Sequence, residues 1–241
     1  MTTVSYTRNN PYCTPQTVNF PRWGMRDVWI RHVMKDDETN YTGEPYLLLY
    51  KDAYIKYYRQ QILITAFEEK IPAILLAGVA WSEAGGKPDD FKAKGMVLYR
   101  QLLDKMGGTK ENLNKLSNGI IAMQLRVAAE TLGLDPQKLT SREQLQLKTC
   151  LESDDFNMRL AAKHLRYLIL FDYPDADTLY ASEEQIILAA SRYNRGIERA
   201  KIDFINSIKA EPGTLPLRTY SEYGRALIGR SERVKKLLYG Y

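Results

Sequence analysis

The chain contains few side chains that bind metals or form cross-links. Its 241 residues include two cysteines, Cys13 and Cys150, and two histidines, His32 and His164. The cysteines lie far apart and form no Cys-x-x-Cys or Cys/His cluster, so the sequence excludes a disulfide-rich scaffold and argues against a zinc site. We therefore predict no metal and no cofactor. Two alternatives stay open for the cysteines: they pair in an oxidising compartment, or they remain two buried thiols.

The sequence also lacks a long hydrophobic segment. The longest nearly continuous apolar run, residues 71–81, is too short to cross a bilayer. Residues 1–11 are polar and lack the apolar core of a secretory signal. We therefore expect a protein with no membrane span that is made in the cytoplasm without a signal peptide and that needs another export route for any role outside it.

Composition excludes several further classes of protein. With 44% hydrophobic and 26% charged residues, 15 glycines and 10 prolines, the chain is neither collagen-like nor low in complexity nor largely disordered. Its length allows it to bury a sizeable core without metal or disulfide support. The net charge of +5 favours polyanionic partners, which include nucleic acid, acidic lipid and bacterial cell wall.

The sequence has no turn motif flanked by alternating apolar residues, which would predict a β-hairpin, and no internal repeat with a period of 20 to 50 residues. Apolar residues at helical spacing are frequent instead. Residues 1–45 have no sustained periodicity and predict an irregular N-terminal arm. Residues 46–241 predict a mainly α-helical body. Its helices include 72–84, 121–132 and a stretch that begins at Asp154.

Capping boxes, in which Ser or Thr precedes Glu or Gln by three residues, mark the starts of further helices. They occur at Thr140, Ser182 and Thr219. Each precedes a segment with helical periodicity, so a helix is predicted to begin at each of these positions.

Glu83 is the one charged side chain between residues 71 and 86, and it lies in the last turn of the predicted apolar helix. Desolvation and the negative end of the helix dipole both disfavour its ionised form, so we expect a raised pKa. A carboxyl group that keeps its proton near neutral pH suits general acid catalysis. The simpler interpretation is that Glu83 points to solvent where the helix ends.

Three motifs in order resemble the lysozyme-like lytic transglycosylases and goose-type lysozymes. They are Glu83 near the end of an apolar helix, Ile121-Ala122-Met123-Gln124-Leu125 followed by Ala128-Ala129, and Ala189-Ala190-Ser191-Arg192-Tyr193-Asn194-Arg195-Gly196. In that family a catalytic Glu ends a helix, a Gly-x-Met-Gln turn follows, and an Ala-Ala-x-Tyr-Asn-x-Gly motif completes the cleft. The resemblance spans about residues 63–238 and implies a lysozyme-like domain.

The sequence departs from the family pattern in two places. Ala84 follows the Glu where the family usually has Ser, and the Gly before Met-Gln is displaced to Gly119. These departures indicate a divergent branch. They also keep a second interpretation open, that of an inactive lysozyme-like domain that binds the cell wall.

The resemblance assigns roles position by position. Glu83 would be the acid and base at the glycosidic oxygen, Gln124 would bind sugar, and Tyr193 and Asn194 would orient Glu83 or the substrate. A hydrolase would also use a second carboxylate to activate water, whereas a lytic transglycosylase can act with one Glu. Possible second carboxylates are the nearest acidic residues downstream, which are Asp89, Asp90 and Asp104.

The function that the resemblance implies is cleavage of the β-1,4 bond between N-acetylmuramic acid and N-acetylglucosamine in peptidoglycan. By analogy, a divergent enzyme without a leader resembles an antibacterial effector, such as those injected by type VI secretion. That analogy implies delivery machinery, action on the periplasmic wall of a target cell and a cognate immunity protein. An alternative from another class is a nucleic-acid-binding helical module that uses a basic tail, although no recognition motif precedes that tail. The tail consists of Arg225, Arg230, Arg233, Lys235 and Lys236.

Overall fold

The computed structural model describes residues 10–14, 19–85 and 117–240. Helices dominate these residues, so the predicted mainly α-helical fold class is confirmed. The helices before residue 86 are α1 (Met25–His32), α2 (Glu44–Tyr57), α3 (Arg59–Glu68) and α4 (Ala73–Glu83). Those after residue 117 are α5 (Leu125–Thr131), α6 (Ser141–Leu151), α7 (Asp154–Asp172), α8 (Glu183–Arg195), α9 (Lys201–Lys209), α10 (Glu222–Gly229) and α11 (Ser231–Tyr239). The 3₁₀ helices are Thr178–Tyr180 and Leu217–Ser221.

Helix α4 occupies the centre of the helical packing. It packs against α2, α3, α7, α8, α10 and α11, and every residue from Leu75 to Trp81 is buried. A helix that is apolar around its whole circumference needs neighbours on all sides, and these six helices provide them. The prediction of a helix over residues 72–84 is confirmed, with Pro72 and Ala84 as its two cap residues.

The predicted capping boxes are confirmed at two of three positions. The hydroxyl groups of Thr140 and Ser182 each accept a hydrogen bond from the backbone of the third helical residue, at the starts of α6 and α8. The prediction at Thr219 is wrong. Thr219 lies within a 3₁₀ helix, its hydroxyl group donates to the carbonyl oxygen of Pro216 at 2.6 Å, and α10 begins only at Glu222. The tighter 3₁₀ turn satisfies the polar groups that the predicted cap would have used.

The segment that precedes α5 is a hairpin and not the start of a helix. β1 (Ser117–Asn118) pairs antiparallel with β2 (Met123–Gln124), and α5 begins at Leu125, so the helix predicted from residue 121 starts four residues later. The side chain of Asn157 on α7 fixes the turn, because its Oδ1 accepts from the backbone N–H of Ile121 at 2.9 Å. That long-range contact has no counterpart in the local periodicity from which the helix was predicted.

The N-terminal arm is more ordered than its composition predicts. Residues 25–32 form α1, whose start is capped by Asp27, since the carboxylate of Asp27 accepts from the backbone N–H of Gly24 at 2.7 Å. Cys13 forms a disulfide with Cys150 at the end of α6. Of the two alternatives that the sequence left open for the cysteines, the structure therefore contains the paired one.

A buried carboxylate fastens the arm to the helices. Asp154 is fully buried at the start of α7 and accepts hydrogen bonds from the guanidinium of Arg22 at 2.6 Å, the hydroxyl of Tyr58 at 2.7 Å and the backbone N–H of Phe20 at 3.0 Å. A buried charge needs such partners to offset its desolvation. Asp154 therefore joins three parts of the fold, which are the arm, the junction of α2 and α3, and α7.

No helix within residues 10–14, 19–85 and 117–240 is long and apolar enough to span a bilayer.

Two glycines allow α10 to approach its neighbours closely. A Cβ atom at Gly224 would clash with the backbone of Ile187 in α8, and a Cβ atom at Gly78 in α4 would clash with the side chain of Leu227 in α10. The backbones therefore come nearer to one another than larger side chains would permit.

We predict that Gly224→Ala destabilises the protein by about 1–3 kcal/mol, because the added methyl group forces α10 away from α8. The matched control is Gly229→Ala in the last turn of α10, where a Cβ would meet nothing within 4 Å. That variant should keep the stability of the parent or exceed it by up to about 1 kcal/mol, owing to the higher helix propensity of alanine. Urea denaturation followed by circular dichroism measures both values, and equal destabilisation of the two variants would contradict the close-approach argument.

Candidate functional site

The site is built on the end of α4. Glu83 is the last residue of that helix and is half-buried, so it does not simply point into solvent. The hydroxyl of Tyr223, in the first turn of α10, donates a hydrogen bond to Oε1 of Glu83 at 2.6 Å. Burial, the negative charge of Glu83 and this hydrogen bond raise the pKa of Tyr223 well above its usual value. Tyr223 therefore remains a hydrogen-bond donor to the carboxylate at neutral pH.

Tyr193 connects two of the sequence motifs. It lies on α8, and its hydroxyl donates to the carbonyl oxygen of Ile121, in the turn between β1 and β2, at 3.2 Å. Burial and the negative charge of Glu83 raise the pKa of Tyr193 well above its usual value. Tyr193 thus lies within electrostatic range of Glu83 and holds the turn of the second motif at the same time. The three motif segments, separate in the sequence, meet around this residue.

A pocket of about 410 Å³ lies between α2, α4, α8 and α10, and its described lining contains Ser82, the residue before Glu83, but not Glu83 itself. Tyr223, which holds the Glu83 carboxylate, forms part of its wall. The described residues that line the pocket are Glu44, Leu48, Lys51, Trp81, Ser82, Asn194, Arg195, Glu222, Tyr223, Ala226 and Arg230. Asn194 is exposed there, as a residue that contacts a ligand must be. Gln124 is the N-cap residue of α5 and lies outside this lining, so its predicted role in binding sugar stays a prediction.

Lys51 is the most buried cation of the pocket. Its side chain extends from α2, and the residue is only 7% exposed. Its ammonium group donates to the carbonyl oxygens of Trp81 and Ser82 at 2.9 and 2.8 Å, and lies 5.1 Å from the centre of the Trp81 ring. These bonds satisfy carbonyl groups in the last turn of α4 and place positive charge at the negative end of its dipole. Lys51 therefore stabilises the turn that carries Glu83.

Burial lowers the pKa of Lys51 to about 8. The charges around it act in both directions: Glu83 and Glu44 raise the pKa, whereas Arg230 and Arg31 lower it. The ammonium and the Glu83 carboxylate are thus electrostatically coupled across the end of α4.

Trp81 forms one wall of the pocket and is held from behind. Its indole N–H donates to Oδ1 of Asp52 at 2.8 Å, and Asp52 also pairs with Arg233. The guanidinium of Arg230 lies 5.1 Å from the centre of the Trp81 ring. Trp81 is itself buried, so its fixed ring supports the cations around it, and these cations suit a ligand that carries negative charge.

The possible second carboxylates Asp89, Asp90 and Asp104 all lie outside the described residues. Among the described carboxylates, Glu44 and Glu222 line the pocket, and Glu44 pairs with Arg31 at 3.2 Å. In the described ranges, no group of three or more His, Cys, Asp and Glu residues could hold a metal ion.

Three residues of the site are not predicted from the sequence: Tyr223, Lys51 and Trp81. Tyr223 lies in the segment after the Tyr-Asn motif, where the resemblance predicted closing helices without assigning a side chain. Lys51 gave a detectable signal, since it is a lysine on a helix face otherwise populated by Leu47, Tyr54 and other buried residues. A charged residue at a core position is unusual and marks a functional or capping role.

The basic tail is largely engaged within the protein. Arg225 donates to the carbonyl oxygens of Ser207 and Arg218, and Arg233 pairs with Asp52. Lys235 pairs with Glu232. These contacts leave less of the tail available for a polyanion than its composition predicts.

No family model matches the chain, and no curated protein and no solved structure matches it either. The resemblance to lysozyme-like enzymes therefore depends on the three sequence motifs.

We predict that Glu83→Gln lowers the pKa of Lys51 below its value of about 8, because the substitution removes a negative charge that favours the ammonium form. An NMR titration of the Lys51 side chain measures this shift. Glu69→Gln is the matched control, since Glu69 is the C-cap residue of α3 and is not among the charges that shift the pKa of Lys51. The control should leave the Lys51 pKa unchanged, and an unchanged value in Glu83→Gln would contradict the coupling.

Proposed function

We propose that the chain is a peptidoglycan glycosidase that cleaves the β-1,4 bond between N-acetylmuramic acid and N-acetylglucosamine, with Glu83 as the principal catalyst. The observation that carries this proposal is the position of Glu83. It ends a buried apolar helix, accepts a hydrogen bond from Tyr223 and lies near Tyr193, which contacts the turn of the Met-Gln motif. A half-buried carboxyl group held by the Tyr223 hydroxyl has the fixed position that an acid and base at a glycosidic oxygen needs.

In the proposed mechanism, the Glu83 carboxyl group donates its proton to the glycosidic oxygen as the bond from that oxygen to the sugar carbon breaks. The resulting carboxylate then removes a proton from the hydroxyl that attacks this carbon. Tyr223 holds Oε1 of Glu83 in place through both steps. Tyr193, which lies near Glu83, holds the 119–122 turn through the carbonyl oxygen of Ile121, and Asn194 presents its amide to the sugar from the pocket wall.

The attacking hydroxyl distinguishes two forms of the enzyme. Water attacks in a muramidase, assisted by a second carboxylate for which Asp89, Asp90 and Asp104 stay candidates. A hydroxyl of the sugar itself attacks in a lytic transglycosylase, and the product is then lighter by one water molecule. Mass spectrometry of the released fragments separates the two forms.

The disulfide supports action outside the cytoplasm. Disulfides persist in oxidising compartments such as the bacterial periplasm, where peptidoglycan lies, and are rare in the cytosol. The Cys13–Cys150 bond therefore agrees with a wall substrate. We extend the proposal to an antibacterial effector delivered to the periplasm of a target cell, with an immunity protein that covers the pocket.

We predict that Glu83→Gln lowers the rate of fragment release from purified peptidoglycan by at least about a hundredfold, because glutamine cannot supply a proton. The melting temperature should barely change, and Glu69→Gln should keep full activity. Wild-type activity in a folded Glu83→Gln protein would contradict the catalytic assignment. If the parent protein binds the wall but releases no fragments, the result would instead favour the wall-binding alternative.

Expression in two compartments tests where the protein acts. With a secretion signal fused to Met1, the protein should cause cells to round and lyse, whereas cytoplasmic expression should be nearly harmless. Glu83→Gln should abolish lysis by the secreted form. Microscopy and culture density measure these outcomes. Toxicity confined to the cytoplasmic form and retained in Glu83→Gln would favour the nucleic-acid alternative.

A further inference from the structure

We propose that the pocket between α2, α4, α8 and α10 binds a carboxylate group of the glycan substrate. This inference rests on the proposed function and names the part of the substrate that the pocket selects. The shared chemistry is a carboxylate on the muramic acid side of the glycan. It is supplied either by the lactyl group of the sugar or by the peptide attached to that group.

The charges of the pocket favour an anion. Its cations are Lys51, Arg195 and Arg230, whereas its carboxylates are Glu44 and Glu222. The charge of Glu44 is offset by its pairing with Arg31. Among the lining residues cations therefore exceed carboxylates by one, with the Glu83 carboxylate nearby but outside the lining, an arrangement suited to a sugar that carries a carboxylate.

Arg230 has donors available for the ligand. Its side chain is exposed and stacks near Trp81, and within the described residues its guanidinium forms no hydrogen bond or ion pair. A guanidinium fork matches the geometry of a carboxylate and can donate two parallel hydrogen bonds. Arg230 therefore forms the main contact with the carboxylate.

Lys51 reinforces the attraction from the floor of the pocket. Its hydrogen bonds go to the uncharged carbonyl groups of Trp81 and Ser82, and these use two of its three donors. Burial lowers the pKa of Lys51, and among its charged neighbours Glu83 and Glu44 raise this pKa whereas Arg230 and Arg31 lower it. A bound carboxylate would add negative charge near the ammonium group and raise the pKa of Lys51.

The position of the pocket links carboxylate binding to catalysis. Glu83 is not among the described lining residues, but Tyr223 lines the pocket and donates to its carboxylate, so one side chain connects the ligand site of Arg230 to the catalytic group. Sugars of a peptidoglycan strand alternate between an acidic and a neutral unit. A carboxylate contact in this pocket would therefore set which bond of the strand faces Glu83, and would reject neutral glycans such as chitin.

The test measures binding in the Glu83→Gln protein, which does not consume its ligand. Three probes are compared: a neutral N-acetylglucosamine hexamer, glycan strands stripped of peptide, and intact strands with peptide. We expect Arg230→Gln to weaken binding of an acidic probe by about tenfold, the scale of a charge-assisted bidentate contact, and to leave the neutral probe unchanged. A loss with stripped strands identifies the lactyl carboxylate, and a loss with intact strands alone identifies the peptide.

Lys236→Gln is the matched control, because Lys236 is an exposed cation of α11 outside the pocket lining. Equal losses in the Arg230 and Lys236 variants would overturn the proposal in favour of general attraction to net charge. An equal loss for neutral and acidic probes in Arg230→Gln would also overturn it. Melting temperatures confirm that both variants are folded.

A second measurement does not depend on affinity. In an NMR titration of the Glu83→Gln protein, the acidic probe that binds should raise the pKa of Lys51 above its value without probe, and the neutral hexamer should not. A Lys51 pKa that stays constant with bound acidic probe would overturn the proposal. Fragment release by the wild-type protein is followed separately. If the wild-type protein cleaves peptidoglycan but Arg230→Gln leaves the affinity for the acidic probe unchanged, only the pocket assignment is overturned. If the acidic probe binds through Arg230 but the wild-type protein releases no fragments, only the proposed function is overturned.

Discussion

Burial of α4 on all sides is the constraint on which the rest of the structure depends. Its residues from Leu75 to Trp81 are enclosed by six other helices, and the hydrophobic gain of that enclosure drives the packing. The helix can carry a charged residue only where it emerges from this environment. Glu83 lies at that point, half-buried, with Tyr223 and the coupled Lys51 around it. The candidate site is therefore a consequence of where the central helix ends.

Close helix contacts then bring the partners of Glu83 to it. Gly78 and Gly224 let α10 approach both α4 and α8, and Tyr223 directly precedes the second of these glycines. A hydrogen bond of 2.6 Å tolerates little displacement, so the packing of α10 sets the geometry of the carboxyl group. Tyr193 reaches the Ile121 turn from α8 in the same way. The packing of the helices thus determines the positions of the Tyr223 and Tyr193 hydroxyl groups relative to their acceptors.

The arm supports the opposite side of the same helix end. Its segment is fixed by Asp154 and by the Cys13–Cys150 disulfide, and its Trp23 is fully buried. Gly85, which has a positive φ of 73°, follows Glu83 closely in the chain, and a Cβ there would lie 3.1 Å from the Trp23 ring. The turn after Glu83 therefore packs directly on the arm. A segment that composition alone describes as irregular contributes to the wall behind the site.

The sequence by itself determined the mainly helical class, the limits of α4 and the placement of Glu83 at its end, because these follow from local periodicity and from a lone charge in an apolar run. It also placed two helix starts through capping boxes. It did not determine the hairpin before α5, which depends on Asn157, or the start of α10, where a 3₁₀ turn replaces the expected cap. The contact of Tyr223 with Glu83 joins residues 140 positions apart, and the Lys51 bonds join α2 to the end of α4. Only the tertiary structure decided these contacts, because helix packing sets the distances between side chains that local propensity leaves undetermined.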